Sequence, residues 1–474
     1  MQHFQHEGLW WDPADPNDRW VGTLSFDRRD GIALSIVEPV RSPRFGGGDS
    51  PPLIYGVTTD GKAVSLLHCY ETSVRMNFGS AGASRSVTIG ANALIVGFHA
   101  GDTDPLLSSA SVTLRHLSNW WGRTGLARDP TVERPNVVVR YTAGDPVLLR
   151  DDGAFRVSLR SALSGSVGKG KATLQESVTF EIEASNPTRL LEFHRRVREC
   201  ADFLSIACLA LCEIDELGLT PAGDDPRVHG TFHAVPIYRS RDERTSSIVH
   251  MLFRAEEVEH RLPALFSAWC SRADDLHDAR ALYFAGAYGG GFIEGKLLSL
   301  TQAVEAYHRR FRDGLYIDHG VFVKEVLEPL LAAIPAGISH SLQRSLADRL
   351  RYANEFSQRR RLRVLVREYA AALESLVANP IAYVDPIIDH RNEFTHFDPA
   401  ARTSTTEVPP ERVLLYNFML RMLLEACFLE SMGLEHDEIT ALLRRSETYK
   451  QLAVRFRSWG IVPPGPSPSG AAIG

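Results

Sequence analysis

Residues 289–311, GGGFIEGKLLSLTQAVEAYHRRF, divide the chain into two kinds of pattern. Three consecutive glycines interrupt regular structure. Behind them Ile293, Leu297, Leu300, Val304, Tyr307 and Phe311 recur at steps of four and three. That spacing puts all six on one side of a helix and predicts a helix over 292–312 that faces a bundle. The same period continues downstream and predicts helices over 318–333, 339–355, 357–375, 380–396, 410–432, 435–445 and 447–457. Upstream the period is two. Val21–Phe26, the polar stretch Asp27–Gly31 and Ile32–Ile36 read as a hairpin. Further strands are predicted at 53–58, 63–74, 86–99, 109–117, 136–142, 154–160 and 173–184, with short returns to strand at 230–237 and 250–253. A buried helix over 188–212 follows Asn186-Pro187. The expected fold class is therefore α+β: an N-terminal β-rich, sandwich- or barrel-like domain, then an all-α helical bundle. The domains are drawn at 1–272, which includes the helix 188–212, and at 273–459, with 460–474 (VPPGPSPSGAAIG and its neighbours) as a tail too poor in apolar residues to fold.

Composition narrows the function. At 474 residues the chain is too long for one core, and its 44% hydrophobic and 23% charged residues are those of a soluble globular protein. A net charge of −6 gives no general basic footprint, so any contact with nucleic acid must rest on a local patch. The six cysteines form no CxxC pair and read as reduced core thiols. The start MQHFQHEGLWWDP lacks a secretory pattern, and the longest apolar stretch, Phe203–Cys212, is about half of the roughly 20 residues a membrane span needs. A cytoplasmic protein with no membrane partner is expected. No GxxxxGK[ST], GxSxG or HExxH motif is present, the triple glycines at 46–48 and 289–291 lack a dinucleotide fingerprint, and the histidines show no metal-ligand spacing. No cofactor and no metal site are expected.

The chemistry-bearing segment is Ile387–Pro399, IIDHRNEFTHFDP. Asn392 and His396 are four apart, so on a helix they share a face, and the carboxamide can orient the imidazole and set its tautomer. Arg391 lies five positions before His396, about 140° around an ideal helix. The two groups meet only where the helix ends, as Pro399 favours, or where a second copy of the chain supplies one of them. An imidazole beside a fixed cation suits metal-free phosphodiester cleavage, one group moving protons and the other holding the phosphate. Spacing alone is weak: Arg189 with His194 and Arg272 with His277 repeat it, both expected on helix surfaces. The plain alternative for Arg391, Asn392 and His396 is a set of groups capping a helix end.

Three segments around that motif, IIDHRNEFTHFDP, FIEGKLLSLTQAVEAYHRR (292–310) and LRYANEFSQRRRLRVLV (350–366), together resemble the HEPN superfamily in its Apea-like branch. GLWWDPADPNDRWVGTLSFDRRDGIALSI (8–36) is similar to the β-rich domain that precedes HEPN in Apea-type antiphage proteins. Arg391-Asn392-x3-His396 fits the family's Arg-polar-x3-His pattern. The resemblance implies a metal-independent endoribonuclease of abortive-infection type, with Arg391, Asn392 and His396 catalytic. Its product would be a 2′,3′-cyclic phosphate, and DNA, lacking the 2′-hydroxyl, would be inert. It implies RNA as partner, tRNA or another structured cellular RNA, a phage-derived trigger, and a homodimer formed through the HEPN domain. Glu305 and His308 are either neighbours of that site or surface groups. His390 and Glu393 adjoin the motif as supporting or solvated residues. The arginines 359, 360, 361 and 363, with Arg349, Arg351 and Arg367, either contact phosphates or form a solvated face. His116, Trp120 and Trp121 are either a stacking surface or core. Two readings stay open beside the nuclease: a non-catalytic HEPN scaffold that binds RNA or protein, and a ligand-binding β module with a helical dimerisation domain.

Overall fold

The computed structural model describes residues 3–39, 50–79, 82–131, 137–223, 225, 227–235, 248–396 and 408–461. The chain forms two compact units, Met1–Ile248 with Phe253–Ser267, and Val249–Leu252 with Ala268–Gly474.

The first unit holds β1 (His3–Trp11), β2 (Arg19–Asp27), β3 (Gly31–Pro39), β4 (Leu53–Thr58), β5 (Ala63–Gly79), β6 (Gly82–Val96), β7 (Leu106–Leu114), α1 (Leu117–Trp121), β8 (Leu126–Arg128), β9 (Val139–Tyr141), β10 (Val147–Asp151), β11 (Phe155–Gly168), β12 (Lys171–Arg189), α2 (Leu190–Cys208), β13 (Ile214–Pro221) and β14 (Gly230–Ala234). Among the described residues β8 and β9 pair only with each other, and the other twelve strands form one sheet, β10-β11-β12-β7-β13-β14-β6-β3-β2-β1-β4-β5. Because β5 also pairs with β6, the ring β6-β3-β2-β1-β4-β5 closes into a six-stranded barrel, and the remaining six strands extend from it as an open sheet. The junction is β6. One of its edges runs along β5, while the other pairs with β3 over 84–91 and with β14 over 93–96.

Alternation builds the barrel core. In β2, Trp20, Leu24 and Phe26 point inward while Val21 is 73% exposed, the period-two pattern of a strand with one buried face. Leu34, Ile36, Ile54, Val64, Leu66, Val87 and Ile89 complete the core around Trp10, whose Nε1 donates to the Gly22 carbonyl at 3.0 Å. A Cβ at Gly56 would sit 2.2 Å from the Trp10 ring, so the indole fits only because that strand carries a glycine there. α2 covers the extension, packing on β7 and β12 and burying Phe193, Val197, Cys200, Phe203 and Leu204.

In the second unit α4 (His277–Tyr288), α5 (Ile293–Phe311) and α13 (His436–Arg445) pack against α12 (Pro410–Ser431). α11 (Val384–His396) reaches it through His390 on Tyr416 and α14 (Glu447–Ser458) through Tyr449 on Glu425, while α9 (Gln358–Glu368) packs on α5 and α11. α12 is buried on every side, as a central helix must be. α3 (Leu262–Ser271) runs from one unit into the other. α6 (His319–Phe322), α7 (Glu328–Ala332) and α8 (His340–Arg351) make an excursion in which Phe322 is the buried side chain of 313–353. Asn354 closes its neck: its side chain accepts from Ile317 N and donates to Ile317 O. α10 (Ala370–Leu373) continues from α9.

The fold class expected from the pattern is the one observed, and several elements differ. The strand expected at 250–253 is replaced by a 3₁₀ turn, Ile248–His250, and irregular chain. β12 runs through Pro187 by a register shift and α2 begins at Leu190. The single helix expected at 318–333 is broken by a π turn, Val323–Leu327, next to Pro329, whose missing N–H forces the ladder to reset. The triple glycine 289–291 separates two helices, α4 and α5, with Gly291 at φ +107°. All six cysteines are free thiols, five of them buried.

Candidate active site

α11 starts on the 3₁₀ turn Pro380–Tyr383 and buries Val384, Ile387, Ile388 and His390. The His390 ring packs edge-on against Phe394, centroids 4.9 Å apart, and against Tyr416, so this imidazole faces the core. Its Nδ1 lies 3.5 Å from Glu393 Oε2. The exposed side of the same helix carries Asp385 and Asp389. Arg359 of α9 donates to both, at 2.7 and 2.5 Å, and Arg363 donates to Asp385 at 2.6 Å.

One turn later the pattern changes. Arg391 is half-buried, and its Nη1 donates to Asn392 Oδ1 at 3.1 Å and to Thr395 Oγ1 at 3.4 Å. The Thr395 hydroxyl in turn donates to the carbonyls of Arg391 and Asn392, at 3.2 and 3.1 Å. Arg391 Nε is buried without a hydrogen-bond partner, and no carboxylate lies within ion-pair distance of this guanidinium among the described residues. The group is therefore held by neutral acceptors at a helix end and meets no carboxylate among the described residues, an arrangement that suits it to receive an anion. The carboxamide oxygen of Asn392 is taken by Arg391. His396 is the last residue of α11, but its side chain lies outside the described residues, as do Phe397, Asp398 and Pro399. Thr395 is a partner that the spacing argument missed, although its hydroxyl four residues from Arg391 was a legible signal.

The other candidates go elsewhere. Glu305 accepts from Arg309 Nε at 3.0 Å. His308 is fully buried, and Arg361 Nη1 donates to its Nδ1 at 3.2 Å, which fixes the ring proton on Nε2. Burial first, then the Arg361 charge, push this imidazole down to about 4, so it is neutral at pH 7. Arg361 also donates to the Phe356 carbonyl, and Arg360 stacks over Phe356 and Tyr316. The arginine run of α9 is thus largely occupied within the unit, through Arg359, Arg360, Arg361 and Arg363. Arg189 ends β12 and pairs with Asp102, and Arg272 lies in the turn between α3 and α4, so neither sits on a helix surface. Trp120 and Trp121 are buried, Trp120 edge-on to Phe203, which makes them core.

Two polar networks, one buried and one half-buried, had no sequence signal, because they join residues far apart in the chain. Tyr283 and Tyr449 both donate to Glu425, a carboxylate with no exposure, and Arg421 lies 3.6 Å from it. Burial pushes the Glu425 carboxyl up against the opposing pull of Arg421 and the tyrosines. Arg312 bridges Glu368 and Glu430, at 2.6 and 2.8 Å, across 56 and 118 residues of sequence. Burial acts to raise Glu430, but hydrogen bonds from Arg312, Tyr307 and Tyr369 outweigh it and hold the carboxyl low. Glu368, Glu430 and His436 have metal-compatible spacing; the two carboxylates pair with the Arg312 guanidinium, and His436 Nε2 lies 3.7 and 3.8 Å from them.

No helix among the described residues is long and apolar enough to cross a membrane. Two family models match the chain: ApeA N-terminal domain 1 over residues 5–269, and Apea-like HEPN over residues 298–438. No curated protein and no solved structure matches it. The first match covers more than half of the chain and the second contains α11. The chain belongs to the ApeA family, and is an HEPN-domain protein of this antiphage group.

Proposed function

We propose, from that membership, that the chain is a metal-independent endoribonuclease of abortive infection whose site is Arg391, Asn392 and His396. The observation that supports the reading is Arg391, a guanidinium fixed by Asn392 and Thr395 and left without a carboxylate among the described residues. Such a fork matches two oxygens of a phosphodiester and stabilises charge that builds on them during attack. His396 takes the proton of the ribose 2′-hydroxyl, whose oxygen then bonds to phosphorus. The bond from phosphorus to the 5′-oxygen breaks, and that oxygen leaves with a proton from an imidazole. The products are a 2′,3′-cyclic phosphate and a 5′-hydroxyl. Asn392 positions Arg391 through its Oδ1. A second copy, dimerised through the HEPN bundle, brings a second Arg391/His396 pair to the same cleft and relieves the 140° offset of the two groups on one ideal helix. The substrate is tRNA or another structured cellular RNA in the cytoplasm, and the N-terminal unit senses a phage-derived trigger or directs the nuclease.

One assay tests this: cleavage of total cellular RNA by the purified chain, with end-group analysis of the fragments. Cyclic phosphate ends, loss of cutting in His396→Ala, and activity that persists in EDTA are the expected results. Cutting that stops on chelation and returns with a divalent metal would remove the reading.

A further inference from the structure

The first unit contains a cavity of about 370 Å³ within the range of small-ligand sites. One wall is a single face of α2, with His194, Val197, Arg198, Ala201, Asp202 and Ser205 at helical spacing. The opposite wall comes from β2, β13 and β14, with Phe26, Leu217, Phe232 and His233. Phe26, Val197, Ala201, Leu217 and Phe232 are all buried, so the lining is chiefly apolar and aromatic.

Two imidazoles interrupt it. His233 is 9% exposed and packs at 5.1 Å from the rings of Phe4 and Phe26; His194 packs edge-on to Phe232 at 4.7 Å. Neither ring has a hydrogen-bond partner among the described residues, so the nitrogens of the buried His233 and the half-buried His194 are left for an occupant of the cavity. Burial, and for His233 the Arg28 charge, lower both from the usual imidazole value, His233 to about 4, so at pH 7 each offers one donor and one acceptor. The charged rim is already engaged. Arg28 donates to the carbonyls of Ile214 and Asp215, at 2.6 and 2.9 Å, and Arg198 donates to Asp202 at 3.0 Å. Glu213 is paired with Arg115 at 2.9 Å, while Glu216 is exposed with no cation at ion-pair distance among the described residues. An anion entering here meets carboxylates and finds both rim guanidiniums occupied.

We propose that this cavity is a binding site for an aromatic group that is neutral or positively charged, with His233 as its buried hydrogen-bonding partner. Such a group occurs in a free aromatic amine and in a tryptophan side chain flanked by basic residues.

The test is calorimetric titration of the full chain with indole, tryptamine, indole-3-acetate and the peptides Lys-Trp-Lys and Asp-Trp-Asp. Indole and tryptamine are expected to bind, and indole-3-acetate and Asp-Trp-Asp to bind about tenfold more weakly or not at all. Binding of Lys-Trp-Lys would identify a protein-borne side chain as the natural occupant, and binding of the free amine alone a small molecule. Ala201→Phe, which fills the cavity from α2, should abolish binding. His233→Phe keeps the ring shape without the nitrogens, and should weaken binding about tenfold with an unchanged melting temperature. Absence of binding by every probe, equal binding of indole-3-acetate and tryptamine, or unchanged binding in His233→Phe would each overturn the proposal.

Discussion

α9 and α11 each present arginines, and they treat them in opposite ways. On α9, Arg359 and Arg363 meet Asp385 and Asp389, and Arg361 is buried between His308 and a carbonyl. On α11, Arg391 meets only Asn392 and Thr395 among the described residues. The α9 run is far richer in charge, and a reader of sequence would turn to it first for phosphate binding. A guanidinium already neutralised by carboxylates has less to gain from an external phosphate, so availability rather than density distinguishes the two helices.

The largest effect that would break this comparison concerns Arg391. Arg391→Ala should lower RNA cleavage by about 10²- to 10³-fold with an unchanged melting temperature, and Arg391→Lys should rescue little, because a point charge does not reproduce the fork. A variant that unfolds the chain instead would place Arg391 with the structural arginines of α9.

The His308 partner of Arg361 sharpens the other side. Its folded value of about 4 lies below the usual imidazole value of 6.5, so between these limits the unfolded chain binds more protons. The stability that follows is fully present above about pH 6.5 and is lost as the pH falls towards 4, by roughly 3 kcal/mol at most. Denaturant melts of the wild type and His308→Gln across that window should differ in slope, the variant being flatter. Parallel slopes would refute a neutral His308.

Arg361→Ala should cost about 2 kcal/mol, because it strands the buried His308 Nδ1 and the Phe356 carbonyl, while cleavage per folded molecule is retained. Arg359→Ala should do least. It removes exposed ion pairs of the kind that 1 M salt screens, so its melting temperature should be indistinguishable from wild type at high salt and cleavage unaffected. Strong loss of RNA affinity in Arg359→Ala would return the phosphate-binding role to α9.

Much of this architecture was legible because the patterns were periodic. Leu297, Leu300, Val304 and Tyr307 of α5 are buried as the three-and-four spacing requires, and 53–58 and 410–432 coincide closely with β4 and α12. β1 was not legible, since His3–Gly8 alternates around a single Phe4 and a glycine, and its hydrophobic content is concentrated in Leu9–Trp11. α3 was missed for the opposite reason: Leu262–Cys270 is apolar at nearly every position and shows no stripe. In the candidate site, the grouping of Arg391 with Asn392 was readable from adjacency in sequence. That α9's arginines were already engaged was not, because Asp385 and Asp389 lie more than 20 residues away and pair through the tertiary fold.

The double pairing of β6 has a consequence for how the first unit opens. Its amides and carbonyls serve β5 on one edge, and β3 then β14 on the other, so the barrel and the open sheet share one strand with no hinge between them. Peeling the sheet away at β14 pulls on the same backbone that closes the barrel. Amide hydrogens of Val87, Ile89 and Leu94 should therefore exchange with solvent only when the whole unit opens, at one common rate, and a proline placed at Ile89 should abolish both halves together rather than release one.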